Sequence, residues 1–205
     1  DDGHTTIVIA KNKDVIGLVS LIDEPREASK MVIAELKNLG ITKLAMLTGD
    51  NNRVAQSIGK DLGLTEIYGS LLPEDKLNII DKLVSEYSEV AMIGDGTNDA
   101  PAMAHSSVGI AMGAAGSDVA LETADVALLS DKIENLPFVV GLGRKSKQII
   151  KQNLFISLGT IFFLIPSAIF GLTNMGLTVF IHEGSTVLVV FNALRLLKYK
   201  NKIKF

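Results

Sequence analysis

The segment VAMIGDGTNDAPAMA, residues 90–104, decides how the rest of the chain is interpreted. An apolar run stops at Gly94, and two carboxylates, Asp95 and Asp99, follow four residues apart. Because like charges at short range repel each other, a cation is expected beside them. An apolar run that ends in acidic loop residues is typical of a buried strand whose carboxyl end carries a ligand site.

Strand-like and helix-like patterns alternate on both sides of this segment. The apolar spacing predicts strands at 5–10, 14–23, 44–50, 66–70, 90–95, 108–112 and 126–130, and helices at 27–39, 52–62, 73–85, 100–105 and 116–123. Gly40 and Gly63 stand where the first two helices should end. Strands that alternate with helices predict an α/β fold whose parallel sheet is covered on both faces.

Three loops should meet at the ligand-binding edge of this sheet, beyond the carboxyl ends of the strands. They contain Thr48-Gly49-Asp50, Lys76, and Asp95 to Asp99 with Asn98 between the acids. Each of the first two has a purely structural alternative: a turn with an Asp or Asn helix cap for the threonine loop, and a solvated side chain for the lysine. The glycine-rich acidic loop has a weaker structural alternative, and the three loops together favour a site.

Phosphoryl transfer is the chemistry that these side chains suit. Carboxylates such as Asp95 and Asp99 are hard oxygen ligands for Mg²⁺. The hydroxyl and backbone amides at Thr48 and Gly49, with the ammonium of Lys76, could neutralise the oxygens of a phosphoryl group, and this reaction depends mostly on positioning and charge. One component is missing, since these 205 residues contain no DKTGT-like stretch or other strand that ends in a nucleophilic acid.

Four stretches resemble the phosphorylation domain of P-type ATPases, a branch of the haloacid dehalogenase-like phosphotransferases. They are MLTGDN (46–51), LPEDK (72–76), MIGDGTNDAPAMAHSSVGIAMG (92–113), and LIDEPREA (21–28), which is similar to the return from the nucleotide domain. The resemblance covers essentially the whole chain. It implies a parallel-sheet, Rossmann-like haloacid dehalogenase fold followed by a transmembrane α-helical hairpin.

The resemblance also implies a role for each site residue, with Mg²⁺ and ATP as cofactors. Asp95 would coordinate Mg²⁺ and Asp99 would support that site, while Lys76 would neutralise the phosphoryl charge. The residues expected around the aspartyl phosphate are Thr48, Gly49, Asp50 and Asn98. Asp23 and Arg26 would lie at the hinge to the nucleotide domain.

The end of the chain is apolar, although residues 1–152 have the charge of an ordinary soluble domain. Residues 154–172 carry no charge, and residues 176–197 are interrupted only by His182 and Glu183 before Arg195. About 20 apolar residues suffice to cross ~30 Å of hydrocarbon. Lysines and arginines flank both stretches, which predicts a membrane hairpin with both ends in the cytoplasm. The alternative is a buried helical hairpin in a soluble protein.

His182 and Glu183 are unusual inside a membrane span, because a charge at its centre costs at least ~2.5 kcal/mol. Imidazole and carboxylate together suit a borderline divalent cation such as Co²⁺, Zn²⁺, Fe²⁺ or Ni²⁺. The alternative is that both side chains lie near the headgroups. HEGST (182–186) is similar to the last membrane helix of cobalt-type heavy-metal P-type ATPases, which implies a transport site at His182, Glu183 and Thr186.

The resulting hypothesis is the carboxyl-terminal part of an ATP-driven exporter of a divalent metal of the Co, Zn or Fe class, in the cell membrane. Its expected parts are a partial phosphorylation domain (1–140), a basic cytoplasmic linker (141–152), a transmembrane hairpin (153–198) and a basic cytoplasmic tail (199–205). The expected partners are the amino-terminal nucleotide domain, actuator domain and membrane helices of the same transporter, and the lipid bilayer, with no nucleic acid. Alone, the chain is expected to be inactive. The alternatives are a membrane-anchored dehalogenase-like phosphohydrolase and a catalytically inactive remnant.

Overall fold

The computed structural model describes residues 5–12, 14–21, 25–95, 98–113 and 118–200. The chain divides into two compact units, Asp1–Leu136 and Pro137–Phe205. In the first unit, the described residues form seven strands: β1 (Thr5–Lys11), β2 (Asp14–Leu21), β3 (Ala45–Leu47), β4 (Glu66–Tyr68), β5 (Ala91–Gly94), β6 (Val108–Met112) and β7 (Val126–Leu128). They alternate from β2 onward with α1 (Ser29–Asn38), α2 (Asn52–Leu62), α3 (Pro73–Tyr87), α4 (Ala100–His105) and α5 (Asp118–Thr123).

Local capping explains where the helices beside the site begin and end. The side chain of Asn51 accepts a hydrogen bond from the backbone N–H of Arg53 and so caps the start of α2. Gly63 ends this helix at φ +75°, in the left-handed region that glycine enters without strain. At the start of α3, the carboxylate of Asp75 accepts the N–H of Leu72 at 2.9 Å. These caps fix the two helices that follow the candidate loops.

The parallel pairing expected from the sequence is confirmed, but the described strands do not form one continuous sheet. Strand β3 pairs with β4, and β6 lies between β5 and β7, all in parallel. A separate antiparallel hairpin joins β1 and β2. Among the described residues, β3 and β5 each have one edge without a strand partner. The alternation in the sequence predicted the strands, whereas it holds no information about a gap between them.

One apolar cluster connects the two parallel sheets. Its members are buried residues from α3, α4, β5 and β6: Ile80, Leu83, Met92, Ala102, Met103 and Ala111. Leu47 of β3 packs against the same cluster. Burying a side chain of this size contributes about 1.5–3 kcal/mol. The strand ends that carry Thr48 and Asp95 therefore rest on a shared core although their strands are not hydrogen-bonded to each other.

The second unit is a helical hairpin of α6 (Leu136–Ile169) and α7 (Met175–Leu194), followed by a 3₁₀ turn, Arg195–Lys198. At 1.5 Å per residue the helices are about 51 and 30 Å long. Both are long and apolar enough to cross a membrane. Their most apolar windows are at most 11% buried, unlike the core helix of a soluble protein. Residues 141–152, expected to be a linker, are part of α6.

The face of α7 that lies toward α6 is defined by its partly covered residues. These recur every three or four positions: Thr178, Ile181, Ser185, Val189 and Asn192. The Nδ2 atom of Asn192 donates to Gln152 Oε1 at 3.2 Å and to Asn153 Oδ1 at 2.8 Å, both on α6. Between the helices, Gly171 has φ +69° and Asn174 caps α7 by accepting the N–H of Leu177.

Candidate functional site

The threonine loop after β3 is a closed hydrogen-bonded turn. The hydroxyl of Thr48 donates to Asp50 Oδ2 at 2.7 Å and accepts the N–H of Asp50 at 3.1 Å. The loop after β4 supports it, because the N–H of Leu71 donates to the carbonyl of Thr48 at 3.1 Å and the N–H of Ser70 donates to the carbonyl of Asp50 at 2.6 Å. Thr48 is half-buried, whereas Gly49 and Asp50 are exposed. The sequence predicted this loop at the carboxyl end of β3, where it lies.

Lys76 and Asp99 are brought together although 23 positions separate them. The Nζ atom of Lys76, in the first turn of α3, lies 2.7 Å from Oδ1 of Asp99. Their side chains are only 17% and 16% exposed. The alternative of a solvated lysine is therefore wrong, because this ammonium is largely covered and paired with a carboxylate. A charge-assisted hydrogen bond at this depth is stronger than a pair on the open surface.

Gly94 makes room for Asp99. A Cβ atom on Gly94 would lie 2.6 Å from the Cβ of Asp99 and 2.7 Å from its Oδ2. Glycines such as Gly94 and Gly96 in a loop can let a ligand approach the backbone. At Gly94 the space is instead taken by the side chain of Asp99, and Gly96 lies outside the described residues.

Asp95 follows the last residue of β5, and Asn98 precedes Asp99 in the same loop. Both side chains are exposed. Within the described part of the chain, no three histidine or acidic side chains converge as a metal site would require. Carboxylates still fit a magnesium ion, which keeps several waters and is held by only one or two protein carboxylates plus substrate phosphates. The candidate donors for such an ion are the carboxylates of Asp95 and Asp99, of which Asp99 also pairs with Lys76.

His182, Glu183 and Thr186 lie on α7, away from the face that carries Asn192. All three are exposed, whereas Ile181 and Ser185 on the face toward α6 are partly covered. The hydroxyl of Thr186 donates to the carbonyl of His182 at 3.3 Å, within the helix. A site at these side chains therefore has room for ligands from elsewhere.

Two further contacts in the first unit were not predicted from the sequence. The guanidinium of Arg26 donates to Asp131 Oδ2 at 2.6 Å and to the Asp131 carbonyl at 2.8 Å, which raises the pKa of Arg26 chiefly through the side-chain hydrogen bond. Asp23, expected at the same hinge, lies outside the described residues. Ser70 has φ +55°, and its hydroxyl accepts the N–H of Asn52 at 3.2 Å. The only sequence signal for Ser70 is its position after a strand.

Comparison with known proteins gives consistent results. The haloacid dehalogenase-like hydrolase family matches residues 1–106. A cadmium-transporting ATPase of Staphylococcus aureus is 46% identical over 202 residues, which are 98% of this chain and 28% of that protein. A zinc-transporting ATPase of Bacillus subtilis strain 168 is 45% identical over 196 residues, covering 96% and 30% of the two chains.

A solved structure agrees with the fold of the chain. The crystal structure of a zinc-transporting PIB-type ATPase in the E2.Pi state matches 96% of this chain and 32% of its own, with a TM-score of 0.81 and 42% identity. The chain thus spans less than a third of the length of these relatives. The similarity extends over both the α/β unit and the helical hairpin.

Proposed function

Because the chain belongs to the haloacid dehalogenase-like hydrolase family, we propose that it works as the carboxyl-terminal part of a P-type ATPase that exports a divalent heavy-metal cation. The reaction would pass through an aspartyl phosphate formed from ATP. The observation that carries this proposal is the junction of three loops. Thr48 is bonded to Leu71, Asp75 caps the start of α3, and Lys76 of this helix reaches Asp99.

In this proposal each loop neutralises or positions the phosphoryl group. Thr48, Gly49 and Asn98 would contact its oxygens, and Asp50 would hold the hydroxyl of Thr48 in place by their hydrogen bond. Lys76 would offset phosphoryl charge while fixing Asp99. A Mg²⁺ ion, when bound by Asp95 with the support of Asp99, supplies positive charge at the same edge. Catalysis of phosphoryl transfer depends mainly on such positioning and electrostatics.

The nucleophile would come from the amino-terminal part of the transporter. In the part of the chain that the structure describes, β3 and β5 each have one edge without a strand partner, above a core that they share through Leu47 and Met92, and this supports a strand in this position. Unpaired strand edges favour pairing with another segment. A strand ending in the phosphorylated aspartate would place that side chain between Thr48 and Asp95. ATP would bind to the nucleotide domain in the same part of the protein.

The transported ion would bind at His182, Glu183 and Thr186. The exposure of these side chains on α7 supports completion of the site by other membrane helices. The chain contains no cysteine, so it offers nitrogen and oxygen ligands, which suit Zn²⁺, Co²⁺ or Fe²⁺ better than Cu⁺. The relatives described above are named for cadmium and zinc, which supports a divalent ion. Both ends of the hairpin would lie in the cytoplasm, with α6 and α7 crossing the cell membrane.

The test compares two phosphorylation reactions in the full-length transporter. His182→Ala or Glu183→Ala should abolish metal-stimulated phosphorylation from ATP, because that reaction requires a loaded transport site. Phosphorylation from inorganic phosphate needs only the phosphoryl and Mg²⁺ loops, so it should persist. Thr178→Val, on the face of α7 that lies toward α6, is the matched control and should retain both reactions.

Other outcomes would contradict the assignment. If both reactions survived in His182→Ala, the histidine and its neighbour would be interfacial residues without a transport role. If both were lost, their role would be in folding. Strong Cu⁺-stimulated activity that depended on His182 would argue against the proposed metal class.

A further inference from the structure

A cavity of about 460 Å³ lies between α6 and α7, away from the proposed transport residues. Its lining includes Lys151, Gln152 and Phe155 of α6, together with Asn192 and Arg195 at the end of α7. Lys151 immediately precedes the uncharged stretch of α6, and Arg195 follows the uncharged end of α7. If the hairpin crosses a membrane, these two cations lie where the hydrocarbon meets the headgroups.

The charge of this region is strongly positive. Residues 135–205 contain nine lysines and arginines, and Glu183 is their only acidic residue. Lys151 has no hydrogen-bond or ion-pair partner among the residues that the structure describes. Two cations at one cavity, with no carboxylate in its lining, make the cavity attractive to an anion.

Hydrogen bonds at the cavity hold the guanidinium of Arg195 in one orientation. Asn192 is fixed by its bonds to Gln152 and Asn153, and its Oδ1 accepts a hydrogen bond from Arg195 Nη1 at 2.6 Å. In the described residues, the Nε and Nη2 atoms of Arg195 have no acceptor, so they are available to an incoming group. A guanidinium with two donors presented side by side matches the geometry of a phosphate group.

We propose that this cavity binds the headgroup phosphate of an anionic phospholipid. Arg195 and Lys151 contact the phosphate oxygens, and Phe155, which is 81% exposed, lies along the start of an acyl chain. This apolar wall favours a lipid over free phosphate. The proposal rests on the proposed membrane insertion of the hairpin, and it requires neither phosphorylation nor metal transport.

Native mass spectrometry of the full-length protein in detergent tests the proposal. The protein is titrated with phosphatidylglycerol or phosphatidylcholine, and the fraction carrying lipid is measured. The double variant Lys151→Gln, Arg195→Gln should retain phosphatidylglycerol at least about tenfold less than the wild type, since it loses both proposed charge-assisted contacts to the phosphate oxygens. The matched control is Lys147→Gln, Lys198→Gln, which removes the same charge outside the cavity lining. It should lose clearly less affinity, because it weakens only the diffuse attraction of the basic surface.

Several results would overturn the proposal. Equal losses in the two double variants would mean diffuse attraction to the basic surface, and equal retention of phosphatidylcholine would mean no recognition of charge. Displacement of the lipid by millimolar inorganic phosphate would identify a site for the free anion. Arg195→Lys keeps the charge and is the variant that should not disturb folding. It should elute from size-exclusion chromatography like the wild type but bind phosphatidylglycerol with lower affinity. Lipid binding by Arg195→Lys that equals the wild type would refute the role of the guanidinium.

The same measurement separates this proposal from the proposed transport function. Lipid retention in the detergent-solubilised protein needs no ATP or transported metal, so His182→Ala should leave it unchanged. Loss of phosphorylation with intact lipid binding would contradict only the transport function. If the full-length protein transported metal but did not bind phosphatidylglycerol selectively, only the lipid site would be contradicted.

Discussion

Asp99 occupies the space beside the backbone of Gly94 that the Cβ of any other residue would need. Oδ1 of the same carboxylate accepts a hydrogen bond from Nζ of Lys76 at 2.7 Å. The position of Asp99 therefore depends on the absence of a side chain at Gly94 and on the ammonium of Lys76, which lies 23 positions away in the sequence.

Gly94→Ala should reduce phosphorylation from ATP in the full-length transporter. The added methyl group forces Asp99 away from its present position, and a displacement of about 1 Å in such a site costs on the order of 100-fold in rate. Phosphoenzyme formation measures the effect. Gly143→Ala is the control, because a Cβ there meets no atom within 4 Å. Near-normal phosphorylation in Gly94→Ala would contradict the importance of this close approach.

Asp95→Asn should abolish phosphorylation while the protein stays folded. The amide keeps the shape of the side chain but removes the charge proposed to hold Mg²⁺, so a loss of about 100-fold or more is expected. Phosphoenzyme assays over a range of Mg²⁺ concentrations measure it, with circular dichroism as the check on folding. Wild-type levels at all concentrations would exclude Asp95 from the magnesium site.

Lys76→Met should have two separable effects. It leaves the largely covered carboxylate of Asp99 without its partner, which should lower the free energy of unfolding by about 1–3 kcal/mol. The double variant Lys76→Met, Asp99→Asn removes that unpaired charge and should recover much of the stability. It should not recover phosphorylation, because the phosphoryl charge remains uncompensated. Recovery of both properties would mean that phosphorylation needs neither the ammonium of Lys76 nor the carboxylate of Asp99.

Gly141→Val should release the segment after α7. A side chain at Gly141 would collide with the hydroxyl of Tyr199, whose ring also lies 5.5 Å from that of Phe138. Trypsin should then cleave at Lys198 or Lys200 several-fold faster, because local opening governs such cleavage. Gly143→Val places the same residue in the same helix with open space around it and should be cleaved at the wild-type rate. Equal rates in the two variants would exclude a role for the Tyr199 contact.

Tyr68→Phe should raise the pKa of Glu66. The tyrosine hydroxyl donates to Glu66 Oε2 at 2.8 Å, and this bond is the largest cause of the lowered pKa of Glu66, with Lys43 second. A lowered pKa stabilises the fold above the carboxyl group's ordinary value of about 4.3, and the contribution is lost as the pH falls through the lowered pKa. Carbon-13 NMR titration of the Glu66 carboxyl group measures the shift. An unchanged pKa would assign the effect to Lys43 instead.

Helix boundaries could be predicted where the sequence contains caps. Helix α2 spans residues 52–62 as expected, because Asn51 and Gly63 specify its two ends. The start of the first long helix was not indicated: hydropathy predicted an apolar span at residues 154–172, and α6 runs from Leu136 to Ile169. Hydropathy detects only the apolar half of a helix, and the positive φ of Gly171 ends it early.

The site residues that directly follow strands could be predicted from the sequence. The loops after β3 and β5 lie where the alternation placed them, and Lys76 belongs to the intervening helix. The pairing of Arg26 with Asp131 joins residues 105 positions apart, so no local pattern indicates it. The division of the strands into two parallel sheets depends likewise on how the strands are ordered in space, which no local pattern indicates. The sequence predicted a metal of the cobalt, zinc or iron class and no single ion, because ligand chemistry alone separates these borderline ions poorly.

The unbroken length of α6 determines how a rotation is transmitted along it. From Leu136 to Leu164 the helix rises about 42 Å, and after its first turn, which contains Pro137, every residue has a backbone N–H that can bond to the preceding turn. Twisting its first turns about the helix axis therefore turns Gln152, the partner of Asn192, and the deeper Leu164 by the same angle. Pro166, which has no N–H to bond to Phe162, is the first position where this stiffness is interrupted. Torsion applied at the polar end thus reaches nearly the whole depth of the hairpin without a flexible joint.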